Sequence, residues 1–495
     1  MTAPSGLARK SIGTGSLFFF CVGASAPMTV IAGSVVQTYA ITGVLGVPLS
    51  FLVLAAALAL FTVGYAAMTR YVPHAATFYA LLARGLGRIW GMAGGTVALV
   101  TYNSIQICLY GLLGFMVSTQ FGYPWWVWAL LAWIVVGLLG VLHININARV
   151  LTILLICEIG VILLFDFASF THPAHGMTVR PLAPTSLFGS EVGGVFALSI
   201  AAFVGYESGP FYGEEARGPH VVARASFGAL AFIGVLYAVS SWAMAVAVGV
   251  DPVATDAGQV PEVVAATRNP DSGIPFSIID MHYGGLVAGL ASILLITSIL
   301  AAMISFHNSV ARYVFGMARE RVLPARLGSI RPGSRGGAPI GGSILQSAVA
   351  FIVVLPFVLA DANPLLTLFT WLSIIAALGV MLLMFGSSLA VVGFFRRVGG
   401  SGETPWQRIW APFLGAGALA VIFMVTFLNL GSLLGPDAGP VLTWSIPGVV
   451  LLALVVGLVW GRVLQTTRPE TYRNIGVGEQ EPLAVLEHAL ADIKV

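Results

Sequence analysis

The stretch Phe203-Val204-Gly205-Tyr206-Glu207-Ser208-Gly209-Pro210 lies within a long apolar segment and departs twice from what such a segment ordinarily contains. Glu207 places a carboxylate at the depth of a membrane interior, where an unpaired charge costs at least about 2.5–3.5 kcal/mol. Two glycines and a proline interrupt the helix and free backbone groups that lipid cannot satisfy. Both costs are tolerable only where the segment faces protein or water. The stretch therefore predicts a broken membrane helix beside a buried carboxylate, which is a candidate binding site.

The composition of the chain is that of an integral membrane protein. Of the 495 residues, 58% are hydrophobic and 9% are charged, whereas a soluble domain has about 25% charged residues. The net charge is only +3, so nucleic-acid binding has no electrostatic basis. Cys21, Cys108 and Cys157 lie in apolar segments without metal-type spacing and are predicted to be free, buried thiols. No cofactor and no metal site are expected.

Twelve membrane spans are predicted from windows of about 20 apolar residues. They cover residues 16–37, 44–69, 89–119, 124–142, 149–169, 193–212, 225–250, 284–310, 341–360, 364–395, 410–430 and 443–464. With the N-terminus inside, 21 of the 23 basic residues fall in cytoplasmic segments, and only Arg180 and Arg268 fall outside. This strong positive-inside bias predicts a multi-pass protein of the cell (plasma or inner) membrane with both termini in the cytoplasm.

The first predicted span carries a second interruption, at Gly23-Ala24-Ser25-Ala26-Pro27. It precedes the break in span six by five spans. Because five is odd, two five-span units would lie in the membrane with opposite orientations, and the substrate would bind between their discontinuous first helices. The predicted fold is therefore an all-α membrane protein of twelve helices, with a five-plus-five inverted repeat, two C-terminal helices, and helices one and six discontinuous. Its parts are a cytoplasmic N-terminus (1–15), the two repeats (16–169 and 193–395), helices eleven and twelve (410–464) and a cytoplasmic tail (465–495).

Two cytoplasmic segments are predicted in more detail. The basic segment 312–339 contains a short helix that ends by Pro324, and residues 482–493 of the tail form either an amphipathic helix or solvated chain.

The paired breaks have a chemical use. Free N–H groups at the start of a half-helix favour an anion such as a carboxylate, and free carbonyls at the end of the other half favour an ammonium group. Together they suit a zwitterion, which is an amino acid. A polyamine or another organic amine remains an alternative, since it would use the carbonyls and Glu207 and leave the amides of span one unused.

Four motifs give the chain a family resemblance. The first is residues 203–207 followed by Glu214-Glu215-Ala216-Arg217-Gly218-Pro219, and the second is Pro73-His74-Ala75-Ala76-Thr77-Phe78-Tyr79 followed by Gly85-Leu86-Gly87-Arg88 and Gly91. The third is Arg312-Tyr313 followed by residues 317–324. The fourth, residues 23–27, matches more loosely. In these motifs the chain resembles the amino acid–polyamine–organocation transporter superfamily, whose members share the inverted-repeat fold of the leucine transporter. The resemblance extends over nearly the whole chain, and it implies a permease that works by alternating access.

The resemblance also implies substrate-binding residues. The substrate carboxylate would be contacted by Gly23, Ala24, Ser25 and Ala26, and the amine by Ala202, Phe203, Val204 and Gly205. From helix three, Tyr102 and Gln106 would face the substrate, with Asn103 beside them. In helix eight, Phe306 would be an aromatic gate. Each has an alternative: the three polar residues of helix three would form hydrogen bonds between helices, and Phe306 would be ordinary packing.

Two carboxylates are predicted to lie deep in spans, Glu158 in span five and Glu207 in span six. Burial without a cation favours the protonated form of a carboxyl group. By the resemblance, Glu158 stands about where proton-coupled and cationic members carry a lysine. We therefore expect Glu158 to couple transport to protons, with Glu207 as second candidate. The alternative is that Glu158 binds the unwound backbone of span one as a neutral acid and never titrates.

Other modes of coupling stay open. Sodium-dependent relatives place a Ser/Thr pair in helix eight, where this chain is aligned to have Ala301-Ala302, with Thr297-Ser298 one turn earlier. Sodium coupling is therefore disfavoured but not excluded, and exchange without an ion is also possible.

An enzyme is not expected. The sequence contains no Ser-His-Asp set, HExxH motif or GxxxxGK[ST] loop. His143, His282 and His307 occur singly near predicted span ends, where interfacial or cytoplasmic placement is expected. A channel or non-transporting receptor is a distant alternative. The expected partners are a small amine or amino acid, protons and the lipid bilayer, and the protein is either a monomer or a homodimer.

Overall fold

The computed structural model describes residues 12–142, 148–189, 191–218, 220–255, 258–269, 272–330, 339–400, 402–434 and 439–478. Within these ranges eleven helices are long and apolar enough to cross a membrane, and a shorter apolar helix, Trp125–Gly140, lies at the predicted fourth span. The chain is thus an all-α membrane protein, as predicted. The number of twelve spans and the limits of the two repeats remain predictions.

The first half of the chain runs from α1 to α10. The helices are α1 (Thr14–Ser25), α2 (Pro27–Thr29), a π-helix (Val30–Val35), α3 (Val36–Thr42), α4 (Val47–Met68), α5 (Thr77–Gly85), α6 (Arg88–Phe121), α7 (Trp125–Leu142), α8 (Ala148–Thr171), α9 (Pro184–Leu187) and α10 (Val192–Phe203). Helices α6, α8 and α10 correspond to predicted spans three, five and six.

The second half begins with a short 3-10 helix, Tyr206–Tyr212, and α11 (Val221–Val248). It continues with strands β1 (Pro252–Thr255) and β2 (Gly258–Pro261), helices α12 (Glu262–Arg268), α13 (Phe276–Tyr283), α14 (Gly285–Arg319) and α15 (Ile340–Leu359), a π-helix (Pro364–Phe369), α16 (Thr370–Val398), a second π-helix (Trp406–Trp410), α17 (Ala411–Leu428), α18 (Leu430–Leu433), α19 (Pro440–Thr467) and α20 (Pro469–Asn474). The two strands form an antiparallel hairpin.

The helices are arranged as expected for a bundle in lipid. Helices α6 and α16 are largely buried, whereas α15 and α19 expose most of their apolar surface. Because a bilayer interior offers no hydrogen-bond partners, apolar side chains can face outward there and polar groups must be satisfied within the bundle. The polar groups of interest are therefore those buried between helices.

Both predicted breaks are present. Helix α1 ends at Ser25, and Ala26 takes a left-handed conformation (φ 45°) before Pro27 starts the next helical piece. Helix α10 ends at Phe203, and Gly205 has φ 118° before the 3-10 helix begins. Helices one and six are discontinuous, as the Gly/Ser/Pro clusters predicted.

The two breaks lie against each other. A Cβ atom added to Gly205 would lie 2.9 Å from the carbonyl carbon of Ala24. No side chain fits at that distance, and the positive φ of Gly205 is itself costly for any residue with a Cβ. Glycine is thus required here because two backbones meet.

One predicted boundary is wrong. The short helix expected up to Pro324 is the continuation of α14, which runs unbroken from Gly285 to Arg319. Residues 311–319 are polar enough to suggest a loop, but they bury most of their apolar side chains, and Arg312 and Arg319 find acidic partners on the segment after the sixth span. The tail residues 482–493 and most of the N-terminal segment 1–15 lie outside the described residues.

Candidate functional site

Glu207 lies immediately after the break in the sixth span and is fully buried. Its Oε2 atom accepts a hydrogen bond from the backbone N–H of Gly205 (2.8 Å), and its Oε1 atom accepts one from the Tyr102 hydroxyl (2.7 Å). The hydroxyl of Tyr65 donates to the backbone carbonyl of Glu207 (3.1 Å). The carboxyl group therefore satisfies a backbone amide that the break frees and ties the break to α6.

An aromatic cluster surrounds Tyr102. Its ring stacks on Phe306 of α14 with centroids 6.5 Å apart, and it meets Phe211 edge-on at 5.4 Å and Tyr313 at 5.8 Å. The structure thus brings together three predicted residues, Tyr102, Phe306 and Glu207. Tyr313 was not predicted, although it directly follows the Arg312 of a family motif.

Asn103 and Gln106 make hydrogen bonds elsewhere. Asn103 is half-buried, and its amide nitrogen donates to the carbonyl of Leu99 in the same helix (2.7 Å). Gln106 donates to the Tyr110 hydroxyl (3.1 Å) and accepts from Gln346 of α15. The hydrogen bonds of Gln106 therefore join α6 to α15, which is the alternative role considered for it.

At the break in the first span, Gly23 is half-buried and residues 24–26 are buried. The Ser25 hydroxyl donates to the carbonyl of Cys21 (3.3 Å), and the Ser25 carbonyl accepts from the Tyr237 hydroxyl of α11 (3.2 Å). The side chain of Ser25 is thus engaged with its own helix, and the backbone of the break is held by α11.

Glu158 lies at the same break. Its carboxylate accepts a hydrogen bond from the Ser298 hydroxyl (2.9 Å) and another from the backbone N–H of Met28, at the start of the second half of the broken span. The hydroxyl of Thr29 donates to that of Ser298 (3.3 Å). Glu158 therefore connects α8 and α14 to the freed amide end of the first span, where a carboxylate is favoured.

Ser298 is the hydroxyl of α14 that lies at the break. Ser298, not the turn at residues 301–302, makes the hydrogen bonds to Glu158 and Thr29. Thr297 donates to the carbonyl of Leu294 in its own helix. Only one member of the Thr297-Ser298 pair therefore reaches the break.

A cavity of about 470 Å³ adjoins this break. It is lined by α1 from Gly15 to Ala24, by α8 from Thr152 to Glu158, and by Ala301 and Ser305 of α14. Its size is within the range of small-molecule sites. It runs along α1 from the expected cytoplasmic end to the broken segment, which gives Glu158 contact with a path to one side of the membrane.

A model of the amino acid permease family matches residues 12–456. The chain belongs to the amino acid permease family. This confirms the resemblance found in the motifs, and the permease is a secondary transporter of a small molecule, not an enzyme. A search of curated proteins finds no match to the sequence.

Solved structures share the fold of the permease. A manganese transporter of Eremococcus coleocola, in complex with an aromatic bis-isothiourea substituted compound, superposes with a TM-score of 0.57 at 15% identity over 96% of this chain and 99% of that chain. A mutant of the same transporter gives 0.57 at 13% identity over 94% and 99% of the two chains. At these identities the likeness concerns the fold alone.

Three residues of the permease differ from expectation. Asp166 of α8 is buried and accepts a hydrogen bond from the Ser240 hydroxyl (2.9 Å), so it is a third carboxylate within the spans. It follows Glu158 by eight residues, a spacing that lies on one helix face and could have revealed it. His307 is buried mid-helix against Ser343 because α14 continues to Arg319, beyond the predicted end at residue 310. Cys157 is exposed because α8 is an outer helix, whereas Cys21 and Cys108 are buried.

The other histidines add no metal site. His282 stacks on His172 with ring centroids 4.3 Å apart, and His143 lies outside the described residues. Among the residues that the structure describes, no three or more His, Cys, Asp or Glu side chains are grouped to hold a metal ion.

Two ion pairs cross the expected cytoplasmic end of the permease. Glu214 receives two hydrogen bonds from Arg319 (2.9 and 3.2 Å), and Glu215 pairs with Arg312 at 3.3 Å. Burial would raise the pKa of Glu214, but the adjacent Arg319 guanidinium lowers it below its ordinary value. We call these four residues the cytoplasmic lock, because they join the segment after span six to α14.

The C-terminal tail docks beside this lock through Glu320. The Glu320 carboxylate accepts hydrogen bonds from the backbone N–H groups of Gly476 and Gly478 (2.9 Å each) and lies 3.0 Å from Nε2 of His74. Burial would raise the pKa of Glu320, but His74 and these donors hold it below its ordinary value. The tail up to Gly478 is thus part of the folded structure at the expected cytoplasmic face.

Proposed function

We propose that the permease moves an amino acid across the cell membrane by alternating access and that protons drive the movement. The observation that carries this proposal is the contact between the two broken helices at Gly205 and Ala24. Broken ends that meet inside a bundle present backbone amides and carbonyls to one small space, which suits a solute with one negative and one positive group.

The proposed contacts follow from the placement of the residues. Gly23, Ala24, Ser25 and Ala26 provide backbone groups for the carboxylate, and Ala202, Phe203, Val204 and Gly205 provide carbonyls and a wall for the amine. Tyr102 and Phe306 close the space from α6 and α14, where their rings stack. Asn103 and Gln106 support α6 through the hydrogen bonds described above.

An amino acid is favoured over a polyamine by the state of Glu207. Both oxygen atoms of its carboxylate already accept hydrogen bonds, from Gly205 and Tyr102. Each oxygen keeps a lone pair for one ammonium group, but the second charge of a dication would need another carboxylate, because a buried charge without a partner is costly. The freed amides of span one instead offer a site for a substrate carboxylate.

Proton coupling is proposed to act through Glu158. As an ion, its carboxylate accepts from Ser298 of α14 and from Met28 at the break. A proton on the carboxyl group adds a donor and weakens the oxygen atoms as acceptors. Loading and releasing the proton thereby changes how strongly α8 and α14 hold the first span. The adjoining cavity lets the proton exchange with one side of the membrane.

Uncoupled exchange is the second candidate. It is favoured by the same two hydrogen bonds, because a carboxyl group held between a backbone amide and a hydroxyl can remain in one protonation state throughout the cycle. The two mechanisms differ in what a pH gradient does, since an exchanger moves solute without responding to the gradient.

The test is transport by purified permease in proteoliposomes. Uptake of labelled alanine, lysine and glutamate is measured with an inward proton gradient, with a proton ionophore and in empty liposomes, and labelled putrescine and Mn²⁺ are assayed in the same way. We expect one of the amino acids to accumulate above its external concentration and the ionophore to abolish accumulation. Accumulation of putrescine or Mn²⁺ without any amino acid would refute the substrate class, and accumulation insensitive to the ionophore would refute proton coupling.

A further inference from the structure

A second cavity lies far from the broken helices, where α6 begins and α19 ends. It has a volume of about 630 Å³ and is lined on one side by the start of α6, with Arg88 and Trp90, and on the other by Arg462 and its neighbours on α19. Tyr472 of α20 closes the third side. Because α6 begins and α19 ends at the face with most of the arginines, the positive-inside rule places the cavity at the cytoplasmic surface of the membrane.

The packing of α19 on α6 holds the two arginines near each other. A Cβ atom added to Gly461 would lie 3.1 Å from the Cα of Ile89, and one added to Gly457 would lie 2.5 Å from the Cα of Ala93. The helix backbones are therefore in contact, which only glycine allows at these positions. Arg462 and Arg88 are the chain neighbours of the contacting residues Gly461 and Ile89, so both begin at the mouth of the same cleft.

Neither arginine is neutralised within the described part of the chain. Arg88 donates to the carbonyl of Arg473 (3.2 Å) and lies over the ring of Tyr472 at 5.8 Å, and Arg462 reaches only the side chain of Gln465 (3.4 Å). These contacts orient the guanidinium groups without supplying a counter-charge. In residues 462–473, three arginines accompany one acid, Glu470.

The outer wall of the cleft is apolar and open to lipid. Trp90 is 47% exposed, Val459 56% and Val463 48%. Tryptophan at this depth is typical of the membrane interface, and exposed valines on a spanning helix face acyl chains. The cleft thus combines two cations at headgroup level with an apolar surface directed into the bilayer.

We propose that this cleft binds an anionic phospholipid, with its phosphate between Arg88 and Arg462 and its acyl chains along α19. Arginine is suited to phosphate because its planar guanidinium can form two parallel hydrogen bonds. Basic pockets between spanning helices on the cytoplasmic side are suited to anionic headgroups. A protein or a soluble anion would contact the arginines but not the apolar wall of the cleft, whereas a phospholipid contacts both.

Occupation of the cleft also supports the tail. Tyr472 belongs to the segment that continues to Gly476 and Gly478, which Glu320 holds against α5 and α14. A lipid that contacts Arg88, Arg462 and Tyr472 therefore bridges two spanning helices and the docked tail. This role does not depend on which solute is transported.

The test measures lipid binding by the full-length permease. Detergent-solubilised protein is titrated with phosphatidylglycerol and, separately, with phosphatidylcholine of the same chain length, and bound lipid is counted by native mass spectrometry while thermal stability is followed. We expect preferential retention of phosphatidylglycerol with a rise in the unfolding temperature. Equal binding of both lipids, or equal stabilisation by inorganic phosphate alone, would overturn the proposal.

Variants locate the site. The double substitution Arg88→Gln and Arg462→Gln is expected to weaken phosphatidylglycerol binding about thirtyfold, from roughly fivefold for each charge near the surface. The double substitution Arg224→Gln and Arg326→Gln removes the same charge from exposed positions that do not line the cleft and should leave binding unchanged. Equal loss in both double variants would mean a diffuse charge effect and refute the site. The single substitution Arg462→Gln touches only an exposed side chain, so a loss of binding there cannot be ascribed to misfolding.

Discussion

Ser298 donates a 2.9 Å hydrogen bond to Glu158, at the level where the first span is broken. The contact joins α14 to α8, and the Met28 amide adds the broken span as a third member. A single titratable side chain therefore touches three of the elements that surround the proposed substrate space. Any change in its protonation alters both hydrogen bonds together, so Glu158 is the residue at which to test the mechanism.

Glu158→Gln should separate coupling from transport. The amide keeps the shape of the side chain and can accept from Ser298, but it carries no proton through the cycle. We expect accumulation driven by a proton gradient to fall to the level seen with ionophore, while exchange of internal for external solute persists within about threefold of the original rate. Uptake with and without a pH gradient, alongside counterflow, measures the two activities.

Asp166→Asn is the matched control for that change. Asp166 lies on the same helix, is buried like Glu158 and bonds a serine of α11, but it has no described contact with the break. Its substitution should leave gradient-driven accumulation intact. If Asp166→Asn abolished coupling and Glu158→Gln did not, the coupling group would be misassigned.

Tyr102→Phe should impair transport through Glu207. Removing the hydroxyl leaves the buried Oε1 atom without its donor, a loss worth about 1–3 kcal/mol. We expect the maximal uptake rate or the substrate affinity to fall on the order of tenfold. Tyr110→Phe removes a hydroxyl two turns along the same helix, where it bonds Gln106, and should have less than a twofold effect. Similar losses in both variants would indicate a role in helix packing only.

Gly205→Ala should abolish transport. The added methyl group would lie 2.9 Å from the backbone of Ala24, and the alanine would have to adopt a φ of 118°. Relieving this clash separates the two broken helices and removes the close approach on which the proposed site depends. Gly160→Ala, on α8, meets nothing within 4 Å and should transport normally. Full activity of Gly205→Ala, at equal expression and monodispersity, would show that the contact is dispensable.

Arg319→Gln should open the cytoplasmic lock. Glu214 would keep its half-buried position without the guanidinium, at a cost on the order of 2 kcal/mol, or roughly thirtyfold in a two-state equilibrium. Ile12, just before α1, pairs with Ala216 beside the lock. Because the lock holds the segment that contains Ala216, opening the lock should loosen the start of α1. The rate at which an impermeant maleimide labels Cys21, which is buried on α1, should rise in a protein whose Cys108 and Cys157 are replaced by alanine. Arg326→Gln should not change it.

The lock also has a defined pH dependence. Because the pKa of Glu214 is lowered in the folded protein, its contribution is complete above the ordinary value of 4.5 and is lost only as the pH falls below it. Divided by the rate of the Arg319→Gln variant at the same pH, which removes the pH dependence of the thiolate itself, the labelling rate should therefore be constant between about pH 5 and 7 and rise in more acid medium. A rise already between pH 7 and 6 would mean that another group controls the opening.

Much of this fold can be predicted from the sequence, for a physical reason. The bilayer demands long apolar runs, so the ends of α8, and those of the segment from the start of α10 to the end of the 3-10 helix at Tyr212, fall within two residues of the predicted span limits. Clusters of glycine and proline inside such runs indicate an interruption of the helix, and both breaks were predicted from them. Glu207 and Glu158 stand out in the same way, because a carboxylate within an apolar run needs a partner.

The partners themselves were not predictable. Gln106 bonds Gln346, and Arg319 bonds Glu214, across separations of 240 and 105 residues. Without the packing, Gln106 could face the substrate equally well, and residues 312–319 are predicted as a separate short helix and not as the end of α14. The exposure of Cys157 was missed for a related reason. Helix α8 is apolar on most of its surface, so its composition does not indicate which side faces lipid.

The most direct test of the account is accumulation by purified permease in proteoliposomes, with the proton gradient and Glu158 varied in the same experiment. The account predicts that the native permease concentrates an amino acid when protons flow inward, that an ionophore abolishes the concentration, and that Glu158→Gln exchanges the amino acid without concentrating it. Concentration of the amino acid by Glu158→Gln to the native level would contradict the proposed coupling, and the absence of any amino acid transport by the native protein would contradict the proposed site.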